Sequence, residues 1–367
     1  QPGDAILLLA GKGHNGDDVR AMANHLQERD VSLLSITDPA KTLSNLATAL
    51  EPRPALVVDG LFGIGLNRVL DADWMQVISQ LNANRLRVLS VDVPSGVDAA
   101  TGEIQGAAIR AEETLTLGAP KTGLLHSAAA DYVGRLTVAP EIGLVPRTAT
   151  SELQLGQAED FIGFPPPRPA GGHKSTFGHV GIMAGSLGYH GAAVLAARGA
   201  TRAQPGLVTL ITPEEVFVPV ASQLQSVMVQ PLVPGEITIK SITTLLVGPG
   251  MASDRLPDDL KTTADSMWHE SSVPMVVDAS AHDWLTAGAV PEKSIRVITP
   301  HPGEAARLLG TTPAEVQADR VEALQALSAK FGNCHVVLKG RHTLIGQTDG
   351  TVYVNATGNP ALGQGGS

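Results

Sequence analysis

Cysteine is almost absent from this 367-residue chain, and the one present, Cys334, excludes an internal disulfide and any cysteine-built zinc site. Its expected role is packing. Aromatic residues are scarce at 3%, too few for the stacking platforms on which single-stranded nucleic acids lie. Runs of Lys or Arg are lacking too, and the net charge is -10, which disfavours a polyanion-binding surface. Nucleic acid is therefore not an expected partner. No apolar run reaches the ~18 residues of a membrane helix, because Gly, Pro or a charge interrupts each one. No signal peptide is visible, and the expected setting is cytoplasmic. The first residue is Gln1 and a strand-like run is already under way by the sixth, so the natural N-terminus is expected to lie upstream.

What is present is a loop-rich α/β composition: 43% hydrophobic, 17% charged, 39 Gly and 25 Pro, with length enough for two cores. Strand and helix patterns alternate through the first half, with strands at 5–9, 31–36, 55–58 and 87–91 and helices at 17–28, 42–50 and 73–81. Such alternation predicts βαβ crossovers and a parallel sheet, completed near 114–117 and 134–138. The pattern fades over 143–171, where Phe164-Pro-Pro-Pro-Arg-Pro169 reads as a stiff linker. It restarts with strands at 180–184, 207–211, 244–247, 274–278, 295–299, 335–339 and 351–355. Helices are expected at 191–204, at 256–268 and as a pair ending at Lys330. No internal repeat links the halves, so the expectation is two different α/β domains, at 1–142 and 172–367.

Each half offers a nucleotide-sized site. In Ala10-Gly-Lys-Gly-His-Asn-Gly-Asp-Asp18 the glycines sit where a strand hands over to a helix, so backbone N–H groups can approach a phosphate closely. The spacing is not G-x-G-x-x-G, and a plain tight turn remains an equal reading. Two further strand ends bring carboxylates to the edge where open α/β sheets collect ligands. These are Asp59 before Gly60-Leu-Phe-Gly-Ile-Gly-Leu-Asn67, and Asp92 in Val91-Asp-Val-Pro-Ser-Gly-Val-Asp98. Asp98 itself reads as a turn cap.

With Pro120-Lys-Thr-Gly-Leu124, these segments resemble the NAD(P)H-hydrate epimerase family (YjeF N-terminal type) across residues 1 to about 142. The resemblance implies a Rossmann-like three-layer αβα fold. It implies that hydrated NADH or NADPH is held by His14, Asn15, Gly16, Asp17 and Asp18 and by Gly63, Ile64, Gly65, Leu66, Asn67, Arg68 and Val69. It further implies K⁺ bound by Asn15, Asp59 and Ser95, and Asp92 as the acid/base at C6 of the nicotinamide ring. The chain departs from the family's Asn-Asn-Gly-Gly-Asp at His14 and Asp17, and His14 is expected to be an exposed loop residue. Lys121 reads equally as a surface lysine or as facing the substrate.

The second half resembles the ADP-dependent NAD(P)H-hydrate dehydratases, which are ribokinase-like three-layer αβα proteins. Six ordered motifs carry this: Gly172-His-Lys-Ser-Thr-Phe-Gly-His-Val180, Ala184-Gly-Ser-Leu-Gly-Tyr-His-Gly-Ala-Ala-Val-Leu-Ala196, Val247-Gly-Pro-Gly-Met251, Thr299-Pro-His-Pro-Gly-Glu304, Lys339-Gly-Arg-His-Thr343 and Asn355 to Ser367. By family position Ala193, Gly250 and His301 line the hydrate pocket, while Lys339, Gly340, Arg341, His342 and Thr343 take the phosphates of ADP, with Mg²⁺ shielding them. Asp278 reads either as facing that crevice or as a helix cap. The family's general base follows a Gly-Gly-Ser/Thr-Gly-Asp loop and would fall two residues beyond Ser367. The fold is therefore expected to be incomplete at its C-terminus, with little dehydratase activity in this polypeptide. The resemblance implies a homo-oligomer with NADHX or NADPHX and ADP as its small-molecule partners. Two alternatives stand beside it: a ribokinase-like vitamin kinase, and a non-catalytic dinucleotide-binding protein.

Overall fold

The computed structural model describes residues 4–26, 28–143, 152–233 and 241–363. The chain divides into two compact units, Gln1–Ala149 and Thr150–Ser367.

The first unit carries strands β1 (Ala5–Ala10), β2 (Asp30–Ser35), β3 (Leu56–Gly60), β4 (Val88–Val91), β5 (Glu113–Leu117) and β6 (Arg135–Ala139), with helices α1 (His14–His25), α2 (Pro39–Leu50), α3 (Ala72–Ala83) and α4 (Ala130–Val133). All six strands are parallel, in the order β2-β1-β3-β4-β5-β6. Side chains alternate between the faces of a strand, and both faces are covered here. Leu7, Leu9 and Val57 pack with Leu46, Leu50, Val77 and Ile78 of α2 and α3. Leu8, Ala10 and Val58 pack with Val19 and Met22 of α1. This is the expected three-layer αβα arrangement.

One boundary differs usefully. The first helix, expected from residue 17, begins at His14, with Gly13 extended at its N-cap and the Asp17 N–H bonded to Gly13 O at 3.1 Å. Gly16 is a poor helix former. It is required because a Cβ there would lie 2.2 Å from Gly11 O, and packing of the turn overrides propensity.

The second unit contributes β7 (Leu153–Leu155), β8 (His179–Met183), β9 (Leu207–Thr212), β10 (Met228–Pro231), β11 (Thr244–Val247), β12 (Met275–Val277), β13 (Arg296–Ile298), β14 (His335–Leu338), β15 (Thr343–Gly346) and β16 (Val352–Asn355). Its helices are α5 (His190–Arg202), α6 (Glu214–Ala221), α7 (Asp258–Glu270), α8 (Pro302–Leu309), α9 (Pro313–Ala318) and α10 (Arg320–Lys330). Among the described residues the sheet runs β10-β9-β8-β11-β12-β13-β14-β15-β16-β7, with β10 through β14 parallel and β15 antiparallel to both its neighbours. Ala193, Val194 and Ala197 of α5 and Val216 and Val220 of α6 pack against Ile182, Val208 and Leu210.

Several expectations are corrected. The segment 143–171 is not wholly a linker: Leu153–Leu155 pairs in parallel with β16, and its short Leu-Gln-Leu pattern is too brief to announce a strand. Residues 144–151 of it lie outside the described residues, as do 364–367 of the last motif. The helix pair ending at Lys330 is three helices, because Thr312 and Asp319 each cap a new start. Strand β15 begins at Thr343, the last residue of the Lys339–Thr343 motif, and is an addition to the expected strands. Helix α6 was hidden in a Val-rich run with an internal proline, Pro219, which reads poorly as helix.

Candidate functional site

In the first unit the strand order reverses between β1 and β3, so chain connections leave in opposite directions and open a crevice at the strands' carboxyl ends. The sequence places Asn15, Asp59 and Ser95 there. Asp59 is fully buried. Its Oδ1 accepts the Ser95 hydroxyl at 2.6 Å and the Leu61 N–H at 3.2 Å, and its Oδ2 accepts the Ser90 hydroxyl at 2.8 Å and the Ser95 N–H at 2.9 Å. Burial pushes this carboxyl above the usual range, and the hydrogen bonds from Ser95, Leu61 and Ser90 oppose the shift without cancelling it. Every one of these donors is neutral. Asn15 donates through Nδ2 to the carbonyls of Phe62 (2.7 Å) and Val91 (3.0 Å), leaving its Oδ1 buried with no hydrogen-bond partner.

The glycines around this edge divide by role. Gly11 cannot carry a Cβ, which would lie 2.0 Å from Leu61 O, whereas Gly13 and Gly65 face open space. The amino end of α1 has no side-chain cap, so its first N–H groups are free to meet an anion. His14 is fully exposed, as expected. Asp17 is exposed and paired with Arg20 at 2.8 Å, and Arg20 also donates to Gly11 O. Asp18 is exposed. On the loop after β3, Ile64 and Val69 are exposed while Leu66 is buried. Asp98 accepts the N–H groups of Ala100 and Thr101, both at 2.9 Å, which hold its carboxyl below the usual range, so it is the turn cap it was read to be.

Asp92 follows β4 with a left-handed φ of 68°. Its Oδ1 accepts the Leu117 N–H at 3.0 Å and is ion-paired with Lys121 Nζ. Lys121 is thus no free surface lysine. The pairing was invisible in sequence because 29 residues separate the partners.

In the second unit the parallel order β8-β11-β12-β13-β14 brings five strand ends to one sheet edge: 184–186, 248–250, 278, 299–301 and 339–340. They are laced together. Gly185 N–H donates to Pro249 O (2.8 Å), the Ser186 hydroxyl to Gly250 O (2.7 Å), and Lys339 N–H to Pro300 O (2.8 Å). Gly250 has a φ of 70°, and a Cβ on it would lie 2.6 Å from Tyr189 O. Ala193 is fully buried in the apolar core below this edge.

His301 is the N-cap of α8. Its Nδ1 accepts the N–H groups of Gly303 (3.0 Å) and Glu304 (3.3 Å), while Glu304 Oε2 takes the His301 N–H at 2.8 Å. One ring nitrogen is therefore committed to backbone N–H groups. The other, Nε2, stands 3.6 Å from Glu304 Oε1 on a half-exposed ring. Asp278 does not cap the helix after it: its Oδ1 accepts the Thr299 hydroxyl at 2.6 Å and Lys339 Nζ at 2.9 Å. Burial alone would raise its carboxyl, but Thr299 and Lys339 together hold it below the usual range. Lys339 also lies 3.9 Å from Glu304 Oε2. Behind them His282 is fully buried, with Nε2 between Val277 O (3.0 Å) and Thr299 N (3.2 Å), and with Nδ1 lacking a hydrogen-bond partner and 3.9 Å from Glu304 Oε2. Burial drives its pKa down, the charges of Glu304 and Asp278 opposing.

Sequence reasoning missed Arg320. Its guanidinium donates to the carbonyls of Arg341 (2.6 Å), His342 (3.1 Å), Leu338 (3.0 Å) and Lys339 (3.3 Å), clamping the loop that holds Gly340 at φ 133° and His342 at φ 52°. No motif marks such a clamp. The Thr343 hydroxyl donates within the loop to Gly340 O at 3.0 Å. Cys334 is buried and its thiol is pushed up to about 12 by burial, as suits a packing residue. No described helix is long and apolar enough to cross a membrane.

Comparison with known proteins agrees with both halves. Residues 180–367 match the family described as NAD(P)H-hydrate dehydratase, and 32–123 match the YjeF-related protein N-terminus. The chain is 33% identical to a bifunctional NAD(P)H-hydrate repair enzyme of Moorella thermoacetica, over 99% of this chain and 76% of the relative. Among solved structures, an ADP/ATP-dependent NAD(P)H-hydrate dehydratase of Bacillus subtilis co-crystallized with ATP/Mg²⁺ is similar at 30% identity and a TM-score of 0.50, covering 58% of this chain and 76% of the other. A ribokinase-like superfamily protein of Enterococcus faecalis shares the fold at 23% identity and a TM-score of 0.51, covering 60% and 78%.

Proposed function

Because the chain belongs to the bifunctional NAD(P)H-hydrate repair enzymes, we propose that its two units divide a two-step repair of damaged nicotinamide cofactor. The first unit interconverts the R and S hydrates. The second transfers the terminal phosphoryl group of ADP to the C6 hydroxyl of the S hydrate, leaving AMP. The C6–O bond then breaks, phosphate departs and a proton is lost from the adjacent carbon, restoring NADH or NADPH. Phosphorylation matters because hydroxide is a poor leaving group and phosphate a good one.

The observation that carries the first half is the buried, unpartnered Oδ1 of Asn15 on the same crevice edge as Asp59, whose carboxylate receives only neutral donors. An amide oxygen, a carboxylate and the Ser95 hydroxyl are hard oxygen ligands, and K⁺ would supply the positive charge that Asp59 lacks. Asp92 is the proposed acid/base. Epimerisation at a carbon bearing both nitrogen and hydroxyl needs one group that takes a proton and returns it, whichever bond at C6 opens. With it, His14, Asn15, Gly16, Asp17, Asp18 and residues 63–69 form the proposed hydrate site.

For the second half, His301 Nε2 and Gly250 face the proposed hydrate, and Lys339 to Thr343 face the nucleotide. Lys339 sits on Asp278 here, so binding of the diphosphate would exchange one anion for another around the same ammonium. Mg²⁺ would be held by the diphosphate with Asp278 and Glu304 as the carboxylates at hand, shielding charge during transfer. Self-association and a cytoplasmic setting belong to the same reading on family grounds.

The test is recovery of reduced-nicotinamide absorbance from an R/S mixture of NADPH hydrate with ADP, Mg²⁺ and K⁺, by the chain alone and beside an independent S-specific dehydratase. Recovery of both epimers with the helper supports the epimerase. Recovery by the chain alone supports both activities, and no acceleration in either arm sinks the reading.

A further inference from the structure

We propose that Lys121 is a positioning residue for epimerisation, fixing one carboxylate oxygen of Asp92 so that the other alone is presented for proton transfer. This rests on the reading of Asp92 given above. Lys121 Nζ meets three acceptors: Asp92 Oδ1, the Leu117 carbonyl at 2.8 Å and the Thr116 hydroxyl oxygen at 3.1 Å. An ammonium has three N–H donors, and all three are engaged. Such a group cannot pass a proton to a ligand without abandoning a contact, which argues against Lys121 as the proton carrier itself. The asymmetry lies on Asp92. Oδ1 collects Lys121, the Leu117 N–H at 3.0 Å and, at 3.5 Å, the Thr116 hydroxyl, whereas Oδ2 accepts no hydrogen bond among the described residues and is not a buried orphan.

The backbone reinforces this. Asp92 adopts a left-handed φ of 68°, which costs energy for a non-glycine residue, and its own N–H is tied to Leu115 O at 2.8 Å. The side chains of Asp92 and Lys121 are only 14% and 19% exposed, so the pair is shielded from solvent competition and its geometry is worth more than that of a surface ion pair. Both are anchored to the end of β5, Lys121 through Thr116 and Leu117 and Asp92 through the Leu117 N–H. The strand thus delivers a fixed carboxylate with one free oxygen at the crevice.

The experiment compares wild type, Lys121→Met, Lys121→Ala and Asp92→Asn in the helper-coupled assay on R hydrate, reading kcat and KM separately with Tm as a fold control. Loss of positioning should lower kcat by about a hundredfold in Lys121→Met with KM nearly unchanged. Ethylammonium added to Lys121→Ala should restore part of the loss, and it should do nothing for Asp92→Asn. A folded Lys121→Met with wild-type kcat, or a Lys121→Ala loss that no small amine relieves, overturns the proposal. Should neither Lys121 variant fold, Thr116→Val removes the hydroxyl that holds Nζ; a kcat lowered severalfold at constant KM supports positioning, and an unchanged kcat overturns it. A wild-type chain without epimerisation, or an active Asp92→Asn, would instead strike the underlying reading.

Discussion

Asp59 shows how one residue can be unfavourable for a folded protein and suited to the cation proposed to bind it. A carboxylate buried among neutral donors is destabilising when ionised, and its raised pKa expresses that cost. The sign follows directly. A folded-state value above the unfolded one means the folded unit holds the proton more tightly, so this contribution is favourable in acid and is lost as pH rises through the folded value. At the proposed site K⁺ would compete with that proton for the same oxygens. Stabilisation by K⁺ should therefore grow as pH rises through that folded value. Thermal unfolding with and without KCl, against a tetramethylammonium control, checks this. Asp59→Asn should abolish the K⁺-dependent part of the Tm shift, and Asn15→Ala should weaken it by removing the unpartnered oxygen. A K⁺ response equal in all three proteins would dismiss the site.

At the scale of elements, the amino end of α8 and the loop after β14 carry the proposed second site, and each is held by a side chain, His301 or Arg320. His301 caps α8 through Nδ1, so His301→Ala should lose about 1 kcal/mol of stability together with any contact made by Nε2. His301→Asn separates the two. Asn is itself a good cap, so Tm should stay near wild type while dehydration of the S hydrate falls; equal activity in both would confine His301 to structure. Arg320 is the second case. Four backbone carbonyls converge on one guanidinium, and Arg320→Met would strand them at a cost of roughly 1–3 kcal/mol. The freed loop should bind ADP less tightly, read as a KM for ADP raised about tenfold, because ordering the loop would now be charged to binding. A changed stability with unchanged KM would show that the loop does not contact the nucleotide.

Across the whole molecule, the layering and most of the strand-helix alternation were legible because alternating apolar runs and glycine-bounded turns are local signals. What escaped was set at long range. Gly16 reads as loop until Gly11 is seen pressing on it, and Lys121 pairs with a residue 29 positions away. The same holds for Leu153–Leu155, whose strand exists only because β16 offers an edge about 200 residues later. Candidate site residues follow this division: carboxylates at strand ends could be read from order alone, but the charges that hold them could not. Two units with separate edges imply separable lesions. Asp92→Asn should leave recovery of S hydrate at whatever rate the unaltered chain shows, while recovery of R hydrate stops. Lys339→Met should do the reverse, exchanging epimers without restoring absorbance. Because the hydrate is a diffusible small molecule, mixing the two variants should bring recovery of both epimers back toward the wild-type course. If the mixture recovers only the S half, the hydrate does not pass between chains, and each polypeptide must complete both steps itself.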